Sequence, residues 1–196
     1  MKRLLAAVLL TVFGFPTVAL SCEEFIAFSD EQASEILGKI KRLDAGDMST
    51  VFAFDRLLCA ERKILRDSAR QAGMQSNIAA IRSRALQSAL FEKDVLNLNV
   101  MSKENMTDEE VKFLNTTPLI SYHVRFIDPE KGCISLYDNR ECDPRYVVSV
   151  SGSEVDLRYS NQVAKLRLAE KGELKGVWSN GDRNKPISVP VEIRLD

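Results

Sequence analysis

The sequence contains a single histidine, His123, among 196 residues. One histidine excludes the zinc sites that need two or three, together with the His-Glu-x-x-His motif. Ser121 and Arg125 lie on the same predicted strand face as His123, and Asp128 follows. Residues so close on one strand do not reach the geometry of a serine-histidine-acid triad, and no Gly-x-Ser-x-Gly elbow is present. We therefore predict that His123 is not catalytic, and we assign no catalytic residue.

Residues 1–21 have the three parts of a secretory signal peptide. Lys2 and Arg3 are followed by an apolar run from Leu4 to Phe15 and by the small-x-small cleavage site at 19–21. The run is shorter than a membrane span needs, and no later segment is long and apolar enough to form one. We predict cleavage before Cys22, no transmembrane segment in the mature chain, and a periplasmic or extracellular location.

Four cysteines are the other scarce residues, at positions 22, 59, 133 and 142. No Cys-x-x-Cys pair is present, and an exported chain meets an oxidising compartment, so we expect structural disulfides. Cys133 and Cys142 share one short segment, and Cys22 and Cys59 both belong to the N-terminal half, which favours these two pairs. The alternative is a lipid anchor on Cys22 as in bacterial lipoproteins, which would leave an odd number of thiols.

An acidic loop lies between the last two cysteines, with Asp138, Asn139, Glu141 and Asp143. Oxygen ligands on a tight loop are a Ca²⁺ arrangement, but the spacing fits no EF-hand loop and lacks its glycine. Glycine-rich phosphate loops are absent as well. We predict a solvated turn, no metal site and no cofactor.

The balance of positive and negative charge predicts that no nucleic acid is a partner. Lys and Arg number 27 against 28 Asp and Glu, and acidic residues interrupt the basic helix faces, which contain no interleaved aromatics for base stacking. The candidate binding residues are instead Trp178, Tyr159 and Tyr137, because aromatic side chains often anchor interfaces. We add His123 and Arg125 from the exposed face of their strand.

Helical periodicity covers the first part of the mature chain. Capping boxes at Ser29–Gln32 and Thr107–Glu110 predict helix starts. Long helices are expected at about 30–46, 50–72 and 75–93, and a short one after Thr107. Between the last two, alternation over 95–100 predicts a strand that joins a downstream sheet.

From Pro118 onward the hydrophobic period changes to two. Strands are expected at 119–127, 134–137, 146–150, 154–159, 163–168, 173–178 and 187–195, with turns too short for parallel crossovers. The predicted fold is α+β: a helical hairpin or bundle, then an antiparallel β-meander that forms a small sandwich or a barrel-like sheet. The predicted regions are 1–21 (signal peptide), 22–116 (helical, with one strand near 95–100) and 117–196 (the meander).

These observations favour a non-catalytic function. We expect an exported binding protein whose partner is a protein or another component of the cell envelope, since a cross-linked scaffold presents loops and motifs for catalysis are missing. One alternative is an inhibitor or immunity protein against a wall-degrading enzyme. Another is a hydrolase with a carboxylate site that no motif reveals, which would require a polar cleft holding two carboxylates.

Overall fold

The computed structural model describes residues 22, 24–42 and 48–195, with the side chains of 41 and 42 left aside. Within these residues the chain forms five helices and a nine-stranded sheet. The helices are α1 (Asp30–Arg42), α2 (Met48–Leu58), α3 (Lys63–Met74), α4 (Ala79–Phe91) and α5 (Asp108–Thr116). The strands are β1 (Val95–Val100), β2 (Leu119–His123), β3 (Phe126–Asp128), β4 (Cys133–Ser135), β5 (Val147–Ser151), β6 (Glu154–Tyr159), β7 (Gln162–Leu168), β8 (Leu174–Ser179) and β9 (Ser188–Ile193). The predicted α+β class with a β-meander is confirmed. The signal peptide predicted at 1–21 lies outside the described residues.

Both predicted capping boxes form. The Ser29 hydroxyl accepts the Gln32 N–H at 3.2 Å while the Gln32 side chain accepts the Ser29 N–H at 3.0 Å. Thr107 and Glu110 make the same reciprocal pair at the start of α5. These side chains satisfy backbone N–H groups that the first helical turn leaves unpaired, so the helices begin where the sequence predicts.

The second predicted helix, 50–72, is wrong as a single element. The chain leaves the helix after Leu58 and re-enters it at Lys63. At the break, Ile26 forms a parallel bridge with Ala60, donating its N–H to the Cys59 carbonyl and accepting from the Glu61 N–H. The disulfide between Cys22 and Cys59 holds the N-terminal segment in this position. Backbone bonds to a segment far away in sequence therefore replace the helical bonds here.

The sheet is antiparallel throughout, in the order β2-β1-β9-β8-β7-β6-β5-β4-β3. Strands β3 to β9 follow one another along the chain, as the meander prediction requires. The two ends of the sheet, β2 and β3, are separated by only Val124 and Arg125. The sheet therefore curls into a half-barrel, because one short segment of chain belongs to both of its ends.

The predicted strand 119–127 is likewise two strands rather than one. The Arg125 N–H donates to the Ser135 carbonyl, although Phe126 is the register partner of Ser135. Two residues opposite one define a β-bulge, which bends the strand and increases its twist. Because of this bend, β2 stays with β1 while β3 joins β4.

Two apolar cores lie on either side of α4. Leu86 and Leu90 pack with the concave face of the sheet, around Leu98, Leu157 and Trp178. Ile81 and Ala85 of the same helix belong to the core of the helical layer. Both predicted disulfides, Cys22–Cys59 and Cys133–Cys142, are present. No helix within the described residues has the length and apolarity to cross a bilayer.

Candidate functional site

The candidate site lies where β2 passes into β3. The bulge at Arg125 bends the chain away from β2. A gap opens between β2 and the adjacent ends of β6 and β7. The gap is a pocket of about 300 Å³. Tyr122, His123 and Arg125 line one side of it, and Tyr159 and Gln162 line the other.

A hydrogen-bonded chain connects this pocket to the core of the sheet. The Trp178 indole N–H donates to the Tyr122 hydroxyl at 2.8 Å, and that hydroxyl donates to the Gln162 side-chain oxygen at 2.6 Å. Phe113 of α5 stacks on the indole with ring centroids 5.3 Å apart. Burial raises the pKa of Tyr122 to about 12. The phenol therefore stays protonated at any physiological pH and keeps its role as donor to Gln162.

Four tyrosines form a continuous row from the pocket to the surface, and we call them the tyrosine row: Tyr122, Tyr159, Tyr146 and Tyr137. Ring centroids are 5.3 Å apart from Tyr122 to Tyr159, 5.3 Å from Tyr159 to Tyr146, and 4.7 Å from Tyr146 to Tyr137. The first ring is buried, and the last is 65% exposed. Such tilted and stacked contacts fix each ring against its neighbour. The row therefore presents a rigid aromatic surface.

The Cys133–Cys142 disulfide closes the loop that carries Tyr137. Just beyond it, Arg145 donates to the Asp143 carboxylate at 2.8 Å and lies 5.7 Å from the ring centroid of Tyr146. The Arg145 hydrogen bond lowers the pKa of Asp143, and the reciprocal bond raises that of Arg145. Both groups are charged at neutral pH, so the exposed end of the row has a guanidinium beside it.

The pocket itself contains an unbalanced positive charge. No carboxylate is among its lining residues. Arg125 makes no ion pair with any residue in the described part of the chain, whereas Arg145 is paired with Asp143. A ligand that brings a negative group to this pocket therefore finds a guanidinium with no competing carboxylate.

A second and larger cleft, of about 890 Å³, lies between the helical layer and the β7–β8 end of the sheet. Four carboxylates line it, and each is ion-paired: Asp67 and Glu92 with Arg70, Glu173 and Glu192 with Lys175. The hydrogen bond from Lys175 lowers the pKa of Glu173. A general acid needs a raised pKa, and the lowered pKa of Glu173 does not suit that role.

The predicted acidic turn uses its carboxylates within the loop. Asp138 accepts the Arg140 N–H at 2.7 Å, and Asp143 is bound by Arg145. Over the residues that the structure describes, no group of three or more His, Cys, Asp or Glu side chains is placed to hold a metal ion.

Three of the predicted binding residues, His123, Arg125 and Tyr159, line the same pocket. Tyr137 is connected to this pocket by Tyr146, whose ring contacts both Tyr137 and Tyr159. Trp178 is only 3% exposed, so it supports the site from beneath and offers no indole face to a ligand.

Sequence reasoning missed Tyr122, Tyr146 and Gln162 as parts of the site. Tyr122 lies on the apolar face of its strand, and its polar partner Gln162 is the first residue of β7. A tyrosine on an otherwise aliphatic strand face is the available clue, since a buried phenol requires a hydrogen-bond partner.

Comparison of the chain with protein-family models, curated proteins and solved structures gives no match. The functional assignment therefore depends on the geometry alone.

Proposed function

We propose that this chain is an exported, non-catalytic binding protein that holds a protein or another component of the cell envelope at the pocket and the tyrosine row. The observation that carries the proposal is the tyrosine row itself, which leads from a hydrogen-bonded base to the exposed ring of Tyr137, with Arg145 over the neighbouring ring of Tyr146. Tyrosine and arginine are enriched among the residues that dominate binding energy at interfaces. Rings already fixed by their neighbours lose little conformational freedom on binding.

The two disulfides support the exported location. Disulfides persist in oxidising compartments and are rare in the cytosol. One of them closes the loop that carries the most exposed tyrosine, Tyr137. The same cross-link that indicates an oxidising compartment therefore also restricts the motion of the binding surface.

Cross-linking in the source organism tests the binding proposal. A photo-reactive phenylalanine analogue replaces Tyr137, and the matched control places it at Phe52, another exposed aromatic residue, on α2 in the helical layer. We expect one stoichiometric adduct from position 137 that is lost when Arg125→Ala is added, and no adduct of that mass from position 52. Equal adducts from both positions, or none from position 137, would contradict the proposal.

Export is tested separately by the intact mass of the protein from the envelope fraction. We expect a chain that begins at Cys22, with four cysteines in two disulfides and no added acyl mass. A chain recovered from the cytoplasm with free thiols would show that the proposed location is wrong.

A further inference from the structure

The backbone of β2 has one edge paired and one edge open. Val100 donates its N–H to the Pro118 carbonyl, and Val124 donates its N–H to the Asp94 carbonyl, both across the β1–β2 pair. Backbone groups of successive residues in a strand point to alternate edges. The even-numbered residues from 118 to 124 therefore direct their backbone groups at β1.

The odd-numbered residues of β2 direct their backbone N–H and C=O groups away from β1. These are Leu119, Ser121 and His123, and their N–H and C=O groups have no backbone partner anywhere in residues 22, 24–42 and 48–195. Ser121 and His123 are exposed, and both line the pocket. Three consecutive outward-facing pairs of hydrogen-bonding groups thus border the gap in the sheet.

Proteins usually protect such edges with lysine, proline, a bulge or a very short strand. The other end of the sheet fits this rule, since β3 has three residues and begins at the bulge. The edge of β2 has none of these devices between Leu119 and His123. An edge left open in this way is a template for another strand.

The chemistry of the adjoining pocket indicates what that strand carries. A volume of about 300 Å³ is at the small end for binding sites and suits side chains of a peptide more than a whole drug-sized ligand. Arg125 is the charged residue of the lining, and no carboxylate neutralises it there. Charge complementarity therefore favours a segment with an acidic side chain.

We infer that β2 binds an extended segment of a partner protein by strand addition, with the outward backbone groups of Leu119, Ser121 and His123 forming the ladder and an Asp or Glu of the segment pairing with Arg125. This inference rests on the proposed binding function. It adds how the partner binds, by strand addition, and which side chain the partner supplies, an acidic one. The main-chain bonds supply affinity, while the pocket and Arg125 select the side chains.

The test begins with a random heptapeptide library displayed on phage and fused at its C-terminus, so that no free terminal carboxylate is present. Enriched sequences are synthesised with acetylated and amidated ends. We expect them to share an Asp or Glu at a fixed position and to bind Arg125→Ala about tenfold or more weakly, because a charged hydrogen-bond partner is lost. A library that yields no peptide dependent on Arg125 overturns the inference.

Amide hydrogen exchange by NMR then tests strand addition itself. On peptide binding, the amides of Leu119, Ser121 and His123 should gain protection. The amides of Ile120 and Tyr122, which already face β1, should change little. Protection without this alternation would show that the peptide occupies the pocket but does not extend the sheet.

A pair of variants tests whether peptide binding needs the outward backbone N–H groups of β2. Ser121→Pro removes an outward N–H at a position where an edge strand tolerates proline, and it should abolish peptide binding. Asn97→Ala removes the partner of the Ser121 hydroxyl and leaves every outward N–H of β2 in place, so it should bind as the unmodified protein does. If Ser121→Pro fails to fold, peptides N-methylated at alternate positions give the same test, and binding that tolerates every N-methyl group overturns the inference.

Two further outcomes separate this inference from the proposed function. A dimer of the protein alone, dissociated by Ser121→Pro, would show that a second copy occupies the edge and that the inference is wrong. A partner captured from position 137 that leaves the β2 amides unprotected would support the binding function and contradict strand addition.

Discussion

Tyr122 connects the interior of the sheet to the candidate site through a single hydroxyl. Its oxygen accepts from Trp178 and its proton goes to Gln162. Removing the hydroxyl leaves the buried Trp178 N–H and the half-buried Gln162 oxygen without their partner, and an unsatisfied buried group is more costly than an average hydrogen bond. Tyr122 therefore contributes both to the packing of the sheet and to the geometry of the candidate site.

Tyr122→Phe should lower the free energy of unfolding by about 1–3 kcal/mol, the usual range for a buried polar group left unpaired. Urea unfolding followed by the fluorescence of Trp178, the single tryptophan, measures it. Tyr137→Phe is the matched control, because that hydroxyl has no hydrogen-bond partner among the described residues and the ring is exposed. Equal losses in the two variants would contradict the role of the chain from Trp178 to Gln162.

Two carboxylates of the helices, Asp55 and Glu110, have pKa values shifted in opposite directions. Burial raises the pKa of Asp55 to about 6, although Arg84 lies 3.7 Å away. The Lys103 and Thr107 hydrogen bonds lower the pKa of Glu110. Ionised Asp55 therefore destabilises the fold. The destabilisation is complete above about pH 6, the pKa in the folded protein, and it disappears below the pKa that Asp55 has in the unfolded chain. Ionised Glu110 stabilises it above its unfolded pKa, and this contribution is lost as the pH falls.

Asp55→Asn should gain stability relative to the unmodified protein as the pH rises from 4 to 7, by up to about 3 kcal/mol for a shift of this size. Glu110→Gln should lose stability relative to the unmodified protein over the same pH interval. Urea unfolding of all three proteins at both pH values gives the two differences. If both variants shifted with the same sign, or Asp55→Asn showed no pH dependence, the assigned burial of Asp55 would be wrong.

At the scale of elements, local chemistry was predictable and distant contacts were not. The capping boxes at Ser29 and Thr107 depend on residues three apart, so they can be recognised in the sequence. The break after Leu58 depends on Ile26, and the bulge at Arg125 depends on Ser135. Neither partner is visible from the hydrophobic period, which continues through both positions.

The candidate site shows the same division. His123 and Arg125 could be placed together because they share a strand face. Their meeting with Tyr159 and Gln162 required the curl of the sheet, and that curl follows from the bulge. Sequence periodicity reports which face a residue occupies, but it does not report which strands close on one another.

The two disulfides restrain loops of different length, with sequence separations of 37 for Cys22–Cys59 and 9 for Cys133–Cys142. Loop-closure entropy predicts losses of about 4 and about 3 kcal/mol when each is removed. We expect the Cys22→Ser, Cys59→Ser pair to lower the unfolding free energy more than the Cys133→Ser, Cys142→Ser pair. Only the second pair should weaken binding at the tyrosine row, since its loop carries Tyr137. Urea unfolding and the cross-linking yield from position 137 measure the two effects, and a reversed assignment would contradict this division of roles.

At the scale of the whole molecule, the helical layer and the sheet share their central parts. β1 comes from the mainly helical first region, yet it pairs with β2 on one side and β9 on the other. Helix α4 contributes Leu86 and Leu90 to the core of the sheet and Ile81 to the helical core. Arg82 of the same helix donates to the Ser153 hydroxyl at the β5–β6 turn. The two layers therefore lack a plane along which they could separate without exposing apolar surface.

This sharing predicts one cooperative unfolding transition. Trp178 reports on the sheet by fluorescence, and circular dichroism at 222 nm reports mainly on the helices, so the two urea curves should coincide. Leu90→Ala should shift both midpoints together, at a loss of about 2–5 kcal/mol for a large side chain removed from a packed core. Phe52→Ala, at an exposed position of α2, should shift neither by much. If Leu90→Ala separated the two curves, the helical layer would be an independent folding unit, and the contacts of α4 with the sheet would be too weak to couple them.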